Sequence, residues 1–303
     1  MELTLQNLNQ PVKLSFNNEV EITIKREDKI HPYISGNKYR KLKYNLIAAK
    51  EQGYTTLLTF GGAFSNHIAA TAATGSEFGF KTIGIIRGDE LDQKINENPT
   101  LANALKSGMH LKFISRTLYR EKNETLFLEK LKQKFGSFYL LPEGGTNELA
   151  IKGCKEILTK DDEFFDYICV SVGTGGTIAG LINSALDHQK VLGFPALKGD
   201  FLNNEINKYI KSNKDWKLIN DYHFGGYGKI NSDLITFINK FKKETEIPLD
   251  PVYTGKMMYG IIDMIKNDYF KSNSKILIIH TGGLQGIQGM NIELQRKGLP
   301  LIN

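Results

Sequence analysis

One pattern repeats along this chain and restricts its possible folds: a short apolar run, a glycine-rich turn, then an amphipathic stretch. The runs are Thr55 to Phe60, Thr82 to Ile86, Leu111 to Ser115 and Phe138 to Leu141, then a second series of Tyr167 to Val172, Val191 to Phe194 and Lys275 to His280. Apolar runs of this kind predict strands buried on both faces, and the helical stretches between them predict parallel crossovers. The expected class is α/β, with open, mostly parallel sheets covered by helices. At 303 residues there is room for two domains, or for one large domain with a lobe.

Residues 11 to 25 alternate instead: Val12, Leu14 and Phe16 precede Val20, Ile22 and Ile24, which predicts two short strands turning at Asn17-Asn18. From Lys38 to Gln52, Leu42, Leu46 and Ala49 recur at helical spacing until Gly53 ends the run. Leu118 to Phe135 reads as one amphipathic stretch.

Composition removes several function classes. The formal net charge is +6, but the lysines are scattered among Glu and Asp, so a solvated surface explains them and no nucleic-acid partner is expected. No apolar run reaches membrane-spanning length, and Met1-Glu2-Leu3-Thr4-Leu5-Gln6 lacks the basic and apolar regions of an export signal, so no membrane partner is expected. Cys154 and Cys169, the only cysteines, have no metal-ligand spacing, so no metal site is expected; reduced core thiols suit the cytoplasm.

Glycine pairs close several of the runs, at Gly61-Gly62, Gly144-Gly145, Gly175-Gly176 and Gly282-Gly283. In open α/β sheets ligands sit beyond the carboxyl ends of strands, where backbone approaches closely, so these turns are expected to line one crevice. Val170 to Gly180 runs from strand through Gly173-Thr174-Gly175-Gly176-Thr177 into a helix. Free amides at a helix start suit a phosphate, with the Thr174 and Thr177 hydroxyls as further donors. A dinucleotide fingerprint counted from Gly173 fails at Ile178 and no Gly-Lys-Ser/Thr follows, which leaves a small cofactor with one phosphate. Ser65 and Asn66, in Gly61-Gly62-Ala63-Phe64-Ser65-Asn66-His67, stand at a helix N-cap, either for structure alone or to hold a carboxylate. Lys38 follows a Gly-Asn turn and opposes the dipole of its own helix. A lysine of lowered pKa forms a Schiff base with an aldehyde, and the aldehyde cofactor with one phosphate is pyridoxal 5'-phosphate (PLP).

These segments resemble a known family. Ser35-Gly36-Asn37-Lys38-x-Arg40-Lys41-Leu42, Gly61-Gly62-x-x-Ser65-Asn66-His67, Pro142-Glu143-Gly144-Gly145, Gly173 to Thr177, Asp250-Pro251-Val252-Tyr253-Thr254-Gly255-Lys256 and His280-Thr281-Gly282-Gly283 are similar, in order, to motifs of the PLP-dependent 1-aminocyclopropane-1-carboxylate (ACC) deaminase and D-cysteine desulfhydrase family. The resemblance spans nearly the whole chain. It implies the two-lobed, tryptophan-synthase-β-like PLP fold (fold type II), with a larger lobe of residues 1–49 and 149–303, a smaller one of residues 50–148, and the cofactor between them. It implies Lys38 as the Schiff-base lysine, Asn66 at the ring hydroxyl, Gly173, Thr174, Gly175, Gly176 and Thr177 around the phosphate, and Thr281 at the pyridine nitrogen. Ser65, Asn66 and His67 then face the carboxylate of a small amino-acid substrate and Tyr253 its reacting carbons. Tyr227, in Phe224-Gly225-Gly226-Tyr227-Gly228, matches a second tyrosine near the substrate. A homodimer is also implied.

The pattern departs at two points. ACC deaminases carry a glutamate at the position of Thr254, where an anion can keep the pyridine nitrogen protonated; a hydroxyl cannot, so the ring is expected to be a weaker electron sink. This favours a deaminating lyase of the D-cysteine desulfhydrase kind, giving pyruvate, ammonia and hydrogen sulfide. The alternative is ACC deamination to 2-oxobutyrate and ammonia, and outside enzymes a non-catalytic protein binding a phosphate ligand. Leu284-Gln285-Gly286 also replaces smaller residues, and its bulk is expected to reshape the substrate pocket.

Overall fold

In the computed structural model, which describes residues 8–14, 16 and 19–303, the apolar runs become strands of two sheets. The strands are β1 (Asn9–Val12), β2 (Glu21–Lys25), β3 (Thr56–Gly61), β4 (Lys81–Arg87), β5 (Met109–Ile114), β6 (Tyr139–Leu141), β7 (Tyr167–Val172), β8 (Lys190–Pro195), β9 (Trp216–Leu218) and β10 (Lys275–Ile279). The helices are α1 (Asn37–Glu51), α2 (Asn66–Phe78), α3 (Pro99–Lys106), α4 (Arg116–Tyr119), α5 (Thr125–Phe135), α6 (Glu148–Cys154), α7 (Gly176–Ser184), α8 (Phe201–Asn207), α9 (Ser232–Thr245), α10 (Thr254–Lys266) and α11 (Gly286–Arg296). The turn expected at Asn17-Asn18 lies outside the described residues.

Two expectations are corrected. Leu118 to Phe135 is not one helix: α4 and α5 are separated by Arg120-Glu121-Lys122-Asn123-Glu124, five polar residues with no apolar anchor to carry a helix across the core. Strand β9 was not expected, since three residues show no period.

The larger sheet has the order β1-β2-β10-β7-β8-β9 and is parallel except for β1, which pairs antiparallel with β2 at the edge. Pro11 falls in this outer strand, where its missing N–H costs no ladder bond. The smaller sheet, β5-β4-β3-β6, is wholly parallel. Burial on β10 shows why its run is continuous. Ile276 and Ile278 pack under Leu234 and Ile238 of α9 and Met257 and Ile261 of α10, while Leu277 and Ile279 face Ile178 and Ile182 of α7. In the smaller sheet, Leu42, Leu46 and Ala49 of α1 pack on Leu57 and Leu141, while Phe127 and Leu131 of α5 pack on Leu58, Phe60, Ile83 and Ile85. Among the described residues no helix is long and apolar enough to cross a membrane.

Each sheet reverses its winding once, between β3 and β6 in the smaller and between β7 and β10 in the larger. The four glycine-pair turns follow those four strands. Crevices form where winding reverses, so the topology brings the turns together.

Candidate active site

Lys38 stands on a helix start that is fixed from three sides. Gly36, with φ 62°, precedes α1, and a Cβ there would lie 2.0 Å from the Thr281 carbonyl oxygen, so only glycine lets the backbone reach the end of β10. The Asn37 amide donates to that same carbonyl at 3.3 Å, and Asn37 Nδ2 donates to Thr177 Oγ1 of α7 at 2.7 Å. Arg40 binds the fully buried Glu27 carboxylate through Nε and Nη2 at 2.9 and 2.8 Å, a bidentate pair that holds α1 to the chain after β2. Lys38 itself has no hydrogen bond or ion pair among the described residues. Burial of its amine, helped by the charge of Lys41, holds its pKa well below the usual lysine value, which favours the neutral, nucleophilic form.

Lys38 lines a cleft with about 580 Å³ of empty space. Ser65, Asn66, His67, Gly173, Thr174, Gly175, Thr177, Tyr227, Tyr253 and Thr281 line it too; of the residues expected to hold cofactor or substrate only Gly176 does not. Gly176 lies behind the lining, where a Cβ would press on Thr146 Oγ1 at 2.8 Å and Lys41 Nζ at 3.1 Å. From the first glycine turn it is Ser65 to His67 that reach the cleft, not Gly61-Gly62.

Two helices start at this cleft. Helix α7 begins after Gly175, which has φ 83° and supplies no side-chain cap, so its first amides remain available. Beside it, Lys41 Nζ donates to the Gly144 carbonyl at 3.0 Å, Thr146 Oγ1 at 2.9 Å and Thr174 Oγ1 at 3.4 Å, and burial brings its pKa down to about 8. Bare amides, threonine hydroxyls and a neighbouring cation fit a phosphate. Helix α2 is capped by Ser65, whose Oγ accepts from the Ile68 amide at 3.3 Å, leaving the amides of Asn66 and His67 and the hydroxyl proton as donors. His67 is 1% exposed, neither ring nitrogen has a partner, and burial with two nearby lysines keeps its pKa well below the usual imidazole value.

The rings of Tyr227 and Tyr253 meet edge to face, 6.1 Å apart, and burial raises both phenol pKa values. The Tyr227 loop is held by Lys256, whose Nζ donates to the His223 and Gly226 carbonyls at 2.9 and 2.8 Å. Thr281 Oγ1 lies 3.0 Å from Ser171 Oγ, and both hydroxyls line the cleft. Thr254 does not. Its hydroxyl donates to Asp250 Oδ2 at 2.7 Å and accepts from the Asp250 amide at 2.8 Å, so it is fully engaged at the start of α10. Thr254 is therefore not a residue of the cleft, whereas Ser171 and Thr281 are.

Sequence reasoning passed over Lys41 and Ser171. Lys41 was within reach of it, since three residues beyond Lys38 is the same helical face. Ser171 carried only the weak signal of one hydroxyl in an apolar strand. The cleft as a whole fits PLP: an unpartnered amine of lowered pKa, an uncapped helix start beside a cation, and no acidic side chain among its lining residues.

Comparison with known proteins agrees. The profile of a family described as pyridoxal-phosphate dependent enzyme matches residues 4–282. An Arabidopsis thaliana protein named bifunctional D-cysteine desulfhydrase/1-aminocyclopropane-1-carboxylate deaminase, mitochondrial, is 32% identical, covering 89% of this chain and 74% of that one. A Thermotoga maritima relative, provisionally named as a 1-aminocyclopropane-1-carboxylate deaminase, is 33% identical over 88% of this chain and 89% of its own. A crystal structure of an ACC deaminase homologue superposes with a TM-score of 0.77 at 26% identity, covering 97% of this chain and 95% of that one.

Proposed function

The chain belongs to the pyridoxal-phosphate dependent enzymes, and on that premise we propose that it is a deaminating lyase converting D-cysteine and water to pyruvate, ammonia and hydrogen sulfide. One observation carries the choice of substrate: among the described residues no carboxylate lines the cleft, whose polar groups are lysines, hydroxyls, amides and a neutral imidazole. Bound PLP supplies an electron sink for the pair left when the substrate's α-proton departs. The Ser171 and Thr281 hydroxyls can hydrogen-bond its pyridine nitrogen but add no negative charge there. Such a site suits expulsion of a thiolate better than opening of an unactivated cyclopropane.

The residues divide the remaining work. Lys41, the first amides of α7 and the Thr174 and Thr177 hydroxyls hold the phosphate. Lys38 Nζ would hold the cofactor's aldehyde carbon and is the amine placed to take the α-proton, a role its lowered pKa favours. Ser65 Oγ–H with the Asn66 and His67 amides orients the substrate carboxylate, and Asn66 reaches the ring hydroxyl. Tyr253 and Tyr227, whose hydroxyls are desolvated in the cleft and so kept protonated, would donate to the departing sulfur. The strands of the smaller sheet all fall between Thr56 and Leu141, which supports lobes of residues 50–148 and the remainder around the cleft. We extend the reading to a cytoplasmic homodimer, which light scattering and fractionation test.

ACC deamination is the second reading, favoured by the names its relatives carry. Sulfide release from D-cysteine and L-cysteine, and 2-oxobutyrate release from ACC, measured on one preparation, separate the two. The expected order of kcat/KM is D-cysteine first. Faster turnover of ACC overturns the choice, and a colourless protein inactive on all three returns the chain to the phosphate-binding alternative.

A further inference from the structure

Gln285, at a point of departure from the family pattern, has a partner on a loop of the other sheet. Its Nε2 donates to Asn66 Oδ1 at 2.6 Å. Asn66 opens α2, which follows β3 of the smaller sheet, whereas Gln285 immediately precedes α11 on the loop leaving β10 of the larger sheet. Asn66 lines the main cleft and also a side cavity with about 560 Å³ of empty space, which it forms with Leu284 and Gln285 and which shares Lys38 and Thr281 with the cleft. Among the described residues Asn66 Nδ2 makes no hydrogen bond, and it lies so close to Gly283 that a Cβ there would come within 2.5 Å.

A carboxamide has one accepting and one donating end, so engaging one end fixes what the other can offer. We infer that Gln285 is a positioning residue: by holding Asn66 Oδ1 it reserves the Asn66 Nδ2 donor for the cofactor ring and latches the loops of the two sheets together at the mouth of the cleft. The inference rests on the PLP reading above, in which Asn66 meets the ring hydroxyl. An ionised ring oxygen accepts a hydrogen bond from Nδ2 and is repelled by Oδ1, so the direction of this amide is an electrostatic choice as well as a packing one. Gln285 is exposed, and its replacement leaves the buried core intact.

Gln285→Glu and Gln285→Ala holoenzymes test it, with wild type and Lys38→Ala as references. A glutamate can only accept, so Asn66 must turn Nδ2 toward it and present Oδ1 to the ring. In Gln285→Glu the pH midpoint of the visible absorption band is expected to move by about one unit, and PLP to leave the diluted holoenzyme about 10-fold faster. Gln285→Ala is expected to release PLP about 3-fold faster, with a smaller spectral shift. A merely structural contact moves only the melting temperature; unchanged band, midpoint and release rate in both variants overturn the inference. A wild type without a visible band, or a Lys38→Ala protein that keeps one, instead overturns the PLP reading beneath it.

Discussion

Helices α2 and α7 begin in the same way and end up with different chemistry. Each follows a parallel strand beside a reversal of winding, each comes after a glycine turn, and both reach one cleft. At α2 the cap is a side chain, Ser65, which uses the Ile68 amide and leaves two backbone donors and a hydroxyl. At α7 the cap is Gly175, which leaves its amides unused, and Lys41 stands beside them. On the proposed reading the difference sorts two anions by charge: the phosphate at the uncapped helix with its cation, the single carboxylate at the capped one. A serine in place of a glycine is enough to set the contrast.

The sharpest way to break this division is to remove the cation. Lys41→Met is expected to weaken PLP binding about 100-fold, as for loss of a desolvated charge-assisted bond, while the KM for substrate on the saturated enzyme changes little. Equilibrium dialysis and steady-state kinetics check it, and the opposite split exchanges the two helices' roles. Ser65→Ala should do the complementary thing. The KM for the amino acid should rise about 10-fold and stability fall about 1 kcal/mol through the lost cap, with the visible band retained.

A smaller effect lies in the pH dependence of the apo protein. Lys41 and Lys256 each have a pKa of about 8 in the folded state against 10.5 when unperturbed. Between those values the unfolded chain binds more protons than the folded one, so stability rises with pH, by up to about 1.4 kcal/mol per unit for each group. Below about 8 these two groups are protonated in both states and their penalty is constant, while Lys38, whose pKa is lowered further, extends the rise. Above about 10 Tyr253 and Tyr227, whose pKa values are raised, oppose the gain. Urea titrations at a series of pH values should show the rise, and Lys41→Met should remove one group's share of it.

Much of the lining of the cleft was legible in the sequence because parallel strands deliver their carboxyl ends to one edge, so glycine turns far apart in the chain converge on one place. Ser65 to His67, Gly173 to Thr177 and Thr281 each follow such an end, whereas Lys38 lies on α1, before β3, and stood out through its motif and the family resemblance. Side-chain closure was not legible. Thr254 was expected at the cleft, but Asp250, four residues earlier, captures its hydroxyl, a contact no periodicity reports. The Gln285 and Asn66 bond spans 219 positions and has no local signal. The break between α4 and α5 was visible as a polar run, and was lost by weighing the apolar residues on either side.

Lys38 and Lys41 share a helical face, and both have lowered pKa values, so either amine could in principle carry the aldehyde. The account separates them by their bonds: Lys41 is tied to Gly144, Thr146 and Thr174, and Lys38 is not tied at all among the described residues. Borohydride reduction of the holoenzyme followed by peptide mass mapping decides between them. A phosphopyridoxyl adduct on Lys38 alone is the predicted result; an adduct on Lys41, or none on either lysine, contradicts it.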